Sequence, residues 1–287
     1  MSWKDFSKLV KMRLTFLVVF SASISFLIGS KVNGEYNWGN WVKLIIGGFL
    51  VTAAANCFNE IIEKDLDKLM KRTKDRPMPA GRMTTGQGLV LGLFMGIAGT
   101  ILLGKLNPTA GYLSVFSVLL YAFAYTPLKR KSPVAVFVGA IPGALPPLIG
   151  YVAAHPKIDE IALILFGIQF IWQFPHFWAI AWVLDDDYKL AGFRLLPSGK
   201  RDLTSAVFAF ISTLILIPVS LLPTYYGYGG YYVGGVSLVC GIVFLYLAFK
   251  LSKDLQIASA KKLMYGSFFY LPVVQLMFLF DFIGKVK

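Results

Sequence analysis

The chain is 287 residues long, 56% hydrophobic and only 15% charged, with a mean hydropathy of +0.65 and a formal net charge of +13. Soluble domains carry about 25% charged residues, so this balance excludes an ordinary globular enzyme, and it is too apolar for a disordered chain. It points to one integral-membrane domain over 1–287. The two cysteines, Cys57 and Cys240, both in apolar stretches, exclude a disulfide scaffold.

A hydrocarbon core of about 30 Å takes roughly 20 apolar residues per helix. Nine stretches meet this in chain order: 14–30, 42–59, 86–104, 109–127, 133–153, 160–183, 204–223, 231–249 and 264–283. Strands of a membrane β-barrel are about 9–11 residues long and alternate in polarity; these runs do neither. The expected fold is an all-α integral-membrane protein with nine transmembrane helices. The first stretch follows a basic start, as a signal peptide does. No small-residue cleavage site leads on to a soluble domain, so a retained first helix is expected. There is no long presequence rich in Arg and Ser, and a bacterial cell membrane is the expected location.

Basic residues set the orientation. Twenty-two of the 28 Lys and Arg fall on one side, in the N-terminus and in loops 2–3, 4–5, 6–7 and 8–9. The other side has Lys31, Lys43, Lys105, Lys157, Lys285 and Lys287. The positive-inside rule then puts the N-terminus in the cytoplasm and the C-terminus outside. The positive charge therefore reads as topology and contact with anionic lipid in the bilayer. No nucleic-acid partner is expected, since no basic, aromatic-studded soluble module is present.

Carboxylates segregate to the same side. Glu60, Glu63, Asp65, Asp67 and Asp75 lie in or beside loop 2–3, and Asp185, Asp186, Asp187 and Asp202 in or beside loop 6–7. The clusters end helices 2 and 6, which hints at a duplicated four-helix unit, although no sequence repeat is visible. Residues Asn59, Glu63 and Asp67 are spaced i, i+4, i+8 and drift only about 40° per step, so they line one helix face. Carboxylate oxygens suit Mg²⁺, which keeps waters and binds substrate phosphates. Asp65 falls on another face, as a supporting group or a partner for Lys. The competing reading is a solvated helix end with pairs such as Glu60–Lys64. Three adjacent aspartates at a helix C-terminus are unfavourable, so Asp185, Asp186 and Asp187 predict a compensating cation, either a metal or basic side chains. Arg72 and Arg76 follow the first cluster, and Lys129 and Arg130 sit in loop 4–5. Arg forks grip phosphate oxygens and Lys supplies a point charge. Together these groups describe a Mg²⁺–diphosphate site.

The motifs are long and ordered. Asn59-x-x-x-Glu63-x-Asp65-x-Asp67 leads to Met70-x-Arg72-Thr73-x-x-Arg76-Pro77-x-Pro79-x-Gly81. Tyr125-Thr126-Pro127-Leu128-Lys129-Arg130, Pro175-His176-Phe177-Trp178-Ala179, Asp187-Tyr188-x-x-Ala191-Gly192 and Leu196-Pro197 follow. Over essentially its whole length the chain resembles the UbiA-type membrane prenyltransferases, and within them the branch that farnesylates protohaem IX, the haem O synthases. One departure is Glu63, where the superfamily pattern has Asp; its extra methylene still permits ligation of Mg²⁺ but shifts the metal. Another is the Asp run, in which Asp187 fits the Asp-Tyr pair best and the choice between Asp185 and Asp186 stays open.

The resemblance implies a helical bundle around a central cavity open to the cytoplasm and laterally to lipid. It implies that farnesyl diphosphate and haem B are the substrates and Mg²⁺ the cofactor. The metal falls to Asn59, Glu63, Asp67 and Asp187, with Asp185 and Asp186 as further candidates. The diphosphate falls to Arg72, Arg76, Lys129 and Arg130, and the acceptor side to His176, Tyr188 and Tyr125. Haem A synthase or terminal oxidase assembly factors are the partners it suggests. His176 lies mid-helix, where a polar residue faces the bundle interior. A satisfied core imidazole, a haem iron ligand and a proton acceptor or water positioner all remain open for it. His155 reads as an ordinary surface residue, and Asn56 and Gln173 are polar at cavity-plausible depth. The rivals are a prenyltransferase for another ring acceptor such as hydroxybenzoate, a transporter, and a non-catalytic haem-binding factor.

Overall fold

A computed structural model of the chain describes residues 2–283. Lys285 and Lys287, used above for orientation, lie outside the described residues. Among the described residues nine helices are long and apolar enough to cross a membrane. A short helix α1 (Trp3–Leu9) precedes the first span, α2 (Met12–Asn33). Then come α3 (Trp38–Asp67), α4 (Thr85–Leu106), and a fourth span built from α5 (Pro108–Leu119), a π-helical turn (Leu120–Tyr125) and α6 (Thr126–Leu128). The remaining elements are α7 (Ala135–Ala154), α8 (Glu160–Val183), the short α9 (Asp185–Leu190), α10 (Leu203–Tyr225), α11 (Tyr231–Asp254) and α12 (Ile257–Phe280).

Local chemistry sets the ends of these helices. Asn37, Thr84, Asn107, Asp159 and Asp202 each accept an N–H from the first turn of the helix that follows, and Thr84 with Gln87 closes a reciprocal capping box. Gly34 ends α2 with φ of 71°, a left-handed cap that costs glycine nothing. Helix α3 departs from expectation. It runs for 30 residues, about 45 Å at 1.5 Å per residue, and so outreaches the hydrocarbon core. Hydropathy ended this span at 59 because charges follow, yet Glu60, Glu63 and Asp67 are all buried inside the bundle end.

Helices α2, α7 and α8 are the most buried of the spans, and α4 is among the most exposed to the surroundings. Close approach rests on glycine, as is usual where helices pack in lipid. A Cβ on Gly150 of α7 would lie 2.0 Å from the Ala22 carbonyl oxygen of α2. One on Gly99 of α4 would lie 2.8 Å from the Gly47 carbonyl oxygen of α3. A buried polar clasp joins three spans: Ser21 Oγ donates to Gln169 Oε1 (2.6 Å), while Gln275 Nε2 donates to Ser21 Oγ (2.7 Å) and to Gln169 Oε1 (3.0 Å). Each donor there has an acceptor, as a polar group within lipid requires.

Because backbone rather than a flexible side chain meets the added methyl, Gly150→Ala must push α7 off α2. The expected loss is about 1–3 kcal/mol, read as earlier thermal unfolding in detergent. Gly235→Ala, with open space around its Cβ, should be silent; equal melting of both variants would contradict this packing.

Candidate active site

The end of α3 delivers Asn59, Glu63 and Asp67 to one side of a cavity of about 470 Å³. The i, i+4, i+8 face expected from the sequence is therefore formed, and all three side chains are buried. Asn59 Nδ2 donates to Glu63 Oε2 (3.0 Å) and to Thr126 Oγ1 (3.1 Å), and Thr126 in turn donates to the Tyr121 carbonyl at 2.8 Å. Three cations close on this face from three other segments. Lys11 Nζ donates to Asn59 Oδ1 at 2.8 Å, Lys129 Nζ lies 2.6 Å from Glu63 Oε1, and Arg76 Nη1 donates to Asp67 Oδ2 at 2.5 Å. Asp67 Oδ1 is buried without a hydrogen-bond partner.

Aromatic rings frame the cations. Lys129 Nζ sits 4.9 Å from the Tyr125 ring and 5.3 Å from that of Phe193, and the Arg72 guanidinium is 5.9 Å from the Tyr188 ring, within the range for cation–π attraction. Outside the cavity a basic groove of about 540 Å³ runs past Lys8, Lys11, Arg13, Arg72 and Arg76. Inward, a more apolar cavity of about 230 Å³ shares Tyr121, Tyr125, His176, Phe177 and Phe268 with the polar one. Tyr121 and Tyr125 stand on the π-helical turn, with rings 5.3 Å apart. Tyr125 needs Gly139, whose Cβ would come within 2.6 Å of the ring. Such one-turn widenings recur at functional sites; here it aims both phenols at the junction of the two cavities.

The aspartate run is arranged differently from expectation. Helix α8 stops at Val183, and Asp185, Asp186 and Asp187 form the first turn of α9. At a helix N-terminus carboxylates are favoured, so the run does not need a metal to be stable. Asp185 pairs with Lys189 (2.6 Å), and Asp186 takes a two-pronged contact from Arg201 (3.0 Å). Asp187 accepts the backbone N–H groups of Lys71 (2.7 Å) and Arg72 (3.4 Å). The two acidic regions thus converge, but through a carboxylate–backbone clamp. None of the three aspartates lines the cavity, and Asp185 and Asp186 are turned to Lys189 and Arg201. Arg130 is likewise exposed, beside Gly192, and does not line the cavity. Arg72, Arg76, Lys129, Tyr125, Tyr188 and His176 do.

Among the described residues no three His, Cys, Asp or Glu side chains form a ready metal cage. Two carboxylates and an amide, with one carboxylate oxygen unsatisfied, fit a hard cation that completes its shell with water and phosphate oxygens. They do not fit an all-protein site.

Sequence reasoning missed two groups. Lys11 counted only as topology charge. It has a left-handed backbone, φ 49°, which turns its side chain to Asn59, and no local pattern signals that. Desolvation, with Arg76 and Lys129 adding like charge, pulls its ammonium down from the usual lysine range. Glu60 does not pair with Lys64; it is fully buried, and Oε1 accepts the Met78 N–H at 3.1 Å. Met78 stands between Pro77 and Pro79, which have no N–H, and the signal was that lone donor in the triplet. Asp65 takes the expected ion-pair role with Lys68 (2.8 Å). His155, at the far end of the bundle, is half-buried rather than free at the surface, with Nδ1 2.6 Å from Asn33 Oδ1.

Residues 18–272 match the UbiA prenyltransferase family. The chain belongs to that family. It is 45% identical to the protoheme IX farnesyltransferase of Cytophaga hutchinsonii, over 97% of this chain and 98% of the relative. Of solved structures, a chain from work on digeranylgeranylglyceryl phosphate synthase superposes with TM-score 0.80 at 20% identity, covering 97% of each chain. A UbiA homologue from Archaeoglobus fulgidus bound to GPP and Mg²⁺ gives TM-score 0.71 at 10% identity, over 96% of this chain and 99% of that one. At such identities the structural likeness shows the shared fold.

If Asp187 clamps the loop, Asp187→Ala should speed hydrogen exchange at the Lys71 and Arg72 amides by at least about tenfold, as loss of a charge-assisted bond of about 1.5–3 kcal/mol implies. Unchanged exchange at both amides would show that the clamp does not form.

Proposed function

We propose that this chain transfers the farnesyl group of farnesyl diphosphate to a vinyl group of protohaem, with addition of water, to give haem O. The observation that carries this is the single buried face of Asn59, Glu63 and Asp67, ringed by Lys11, Arg76 and Lys129, at the mouth of an apolar cavity. A diphosphate ester of an isoprenoid has that same division into a charged head and a greasy tail. Relatives named for farnesyl transfer to protohaem supply the acceptor. Two of the solved structures that share the fold hold GPP or DMAPP with Mg²⁺.

Asn59, Glu63 and Asp67 hold Mg²⁺ in this reading; when bound, the metal offsets the charge that builds on the departing diphosphate. Arg72, Arg76, Lys129 and Lys11 bind its phosphate oxygens, and Arg76 and Lys129 exchange their carboxylate partners for phosphate as the substrate enters. This stabilises the leaving group where charge develops. The bond from C1 of the farnesyl group to oxygen breaks with its electron pair going to diphosphate. The vinyl terminal carbon then bonds to the allylic cation. The new cation beside the porphyrin is captured by water, which gives up a proton. Tyr121, Tyr125 and Phe177 line the path, and each aromatic face contributes about 0.5–2 kcal/mol to a passing cation. Asp187 acts by holding the loop that bears Arg72. With basic loops at this end of the bundle, the active site opens toward the cytoplasm of a bacterial inner membrane.

Membranes containing the chain, given farnesyl diphosphate, haem B and Mg²⁺, should form a product with the mass of haem O; chelation should abolish it and Mg²⁺ restore it. Asp67→Asn should lower turnover about 10²–10³-fold, the range for loss of one group that stabilises developing charge, while haem still binds. Farnesylation of hydroxybenzoate in place of haem, or full activity in Asp67→Asn, would refute the assignment.

A further inference from the structure

His176 stands on α8 where the two cavities meet and lines both. Only 8% of it is exposed. Its Nδ1 lies 2.7 Å from Ser267 Oγ. That hydroxyl has one proton, and it donates it to the Met264 carbonyl at 2.5 Å. With the hydroxyl proton on that carbonyl, only lone pairs face His176, and Nδ1 then carries the imidazole hydrogen. In the neutral ring this leaves Nε2 as a bare lone pair. Among the described residues no protein group hydrogen-bonds Nε2.

The ring is also held in one plane. Trp172 stacks on it at 4.4 Å and 17°, and Phe268 meets it edge-on at 5.1 Å. Trp172 Nε1 donates to the Ser267 carbonyl at 2.9 Å. Ser267 therefore holds both rings of the stack, Trp172 through its carbonyl and His176 through its hydroxyl. A satisfied core imidazole would have used Nε2 as well; this one is braced on every side but that. The ring lines both cavities with Nε2 unclaimed by any protein donor, so that nitrogen is available to something that enters them. Imidazole nitrogen is a common ligand of haem iron. Histidines that bind metal characteristically donate their other N–H to a fixed acceptor, which sets ring orientation and raises basicity.

We propose that His176 Nε2 coordinates the iron of the incoming haem, and that Ser267 is the positioning residue that aims it. The inference rests on protohaem being the acceptor. Coordination pins the centre of the macrocycle at the cavity junction, so its rim, with the vinyl groups, is what reaches toward the diphosphate end. The metal in haem then serves as a handle for binding and takes no part in the bond-forming step. Recognition by iron also separates haem from metal-free porphyrin, which shape alone does not do.

The test uses the full chain in lipid nanodiscs, titrated with ferric haem B and with metal-free protoporphyrin IX, read by absorption and electron paramagnetic resonance. The wild type should show a histidine-ligated spectrum. His176→Ala should lose that spectrum and bind haem at least about tenfold more weakly, a change of the size seen when metal-site groups are removed, with protoporphyrin binding unaltered. His176→Gly should recover the spectrum with added imidazole. Ser267→Ala should keep ligation with a shifted spectrum and weaker binding, and Ser267→Thr should restore both. Farnesyl diphosphate binding in each variant checks that the bundle is folded. An unchanged haem spectrum in His176→Ala, or equal losses for haem and protoporphyrin, overturns the ligation. If the wild type still makes haem O in that case, only this inference fails. If it binds no haem and farnesylates another ring, the proposed function fails with it.

Discussion

Two carboxylates, Glu63 and Asp67, are buried within the bundle end, and everything around them follows from the need to neutralise them. Removing one partner of a buried ion pair costs about 3–5 kcal/mol, because the other charge is left stranded. No neighbour on α3 does the neutralising. Lys129 comes from the end of the fourth span and Arg76 from the loop after α3, while Lys11, from the turn before α2, caps the Asn59 amide between them. The site therefore exists only when these distant segments are assembled. It also holds more positive than negative charge in its innermost layer, which makes it an anion site even before a metal is added.

That demand explains why the loop from Lys68 to Thr84 is ordered in spite of its exposed charges. Thr73 Oγ1 donates to the Asp67 carbonyl at 3.0 Å, Glu60 accepts the Met78 N–H, and Asp187 accepts those of Lys71 and Arg72. At the outer edge Arg82 bridges Asp5 (2.9 Å) and Asp75 (3.0 Å), and Lys8 pairs with Asp75. Exposed pairs of that kind contribute little each. Their part is to lay α1 over the loop, so that Lys11 arrives at the cavity rather than in solvent.

The nine spans were legible because lipid leaves a helix little choice of composition: a uniform apolar run of bilayer length rarely folds as anything but a membrane helix. The Asn59–Glu63–Asp67 face was legible because helical spacing alone puts these residues together. The roles of Asp185 and Asp186 were not, since a one-residue break at Leu184 converts an unfavourable helix end into a favourable helix start. Nothing in a run of three aspartates tells which end it caps. Arg130 and Lys129 are adjacent in sequence and equally basic, yet only Lys129 points inward; the π-helical turn just before them sets that phase. Lys11 depended on one left-handed residue, and Ser267 on which span packs against α8. Both are tertiary facts with no local signature.

The ion pairs that fill the site without substrate bear on how it works. Lys129 and Arg76 are already desolvated and already aimed into the cavity, held by Glu63 and Asp67 in the place of phosphate. In the proposed function a diphosphate entering with its metal brings charges of both signs that partly cancel, so little net charge is added to the buried site. In that reading the same carboxylates take the cations back when diphosphate departs, and the return of those pairs offsets the loss of phosphate contacts. A site that bound diphosphate with unpaired cations would hold its product as firmly as its substrate. The more apolar cavity beyond Tyr121 and Tyr125 is lined by no charged side chain; its polar groups are neutral, among them Asn56, Gln173 and His176. The division of labour between a charge-exchanging mouth and a greasy interior is thus set by where α3 outruns the bilayer.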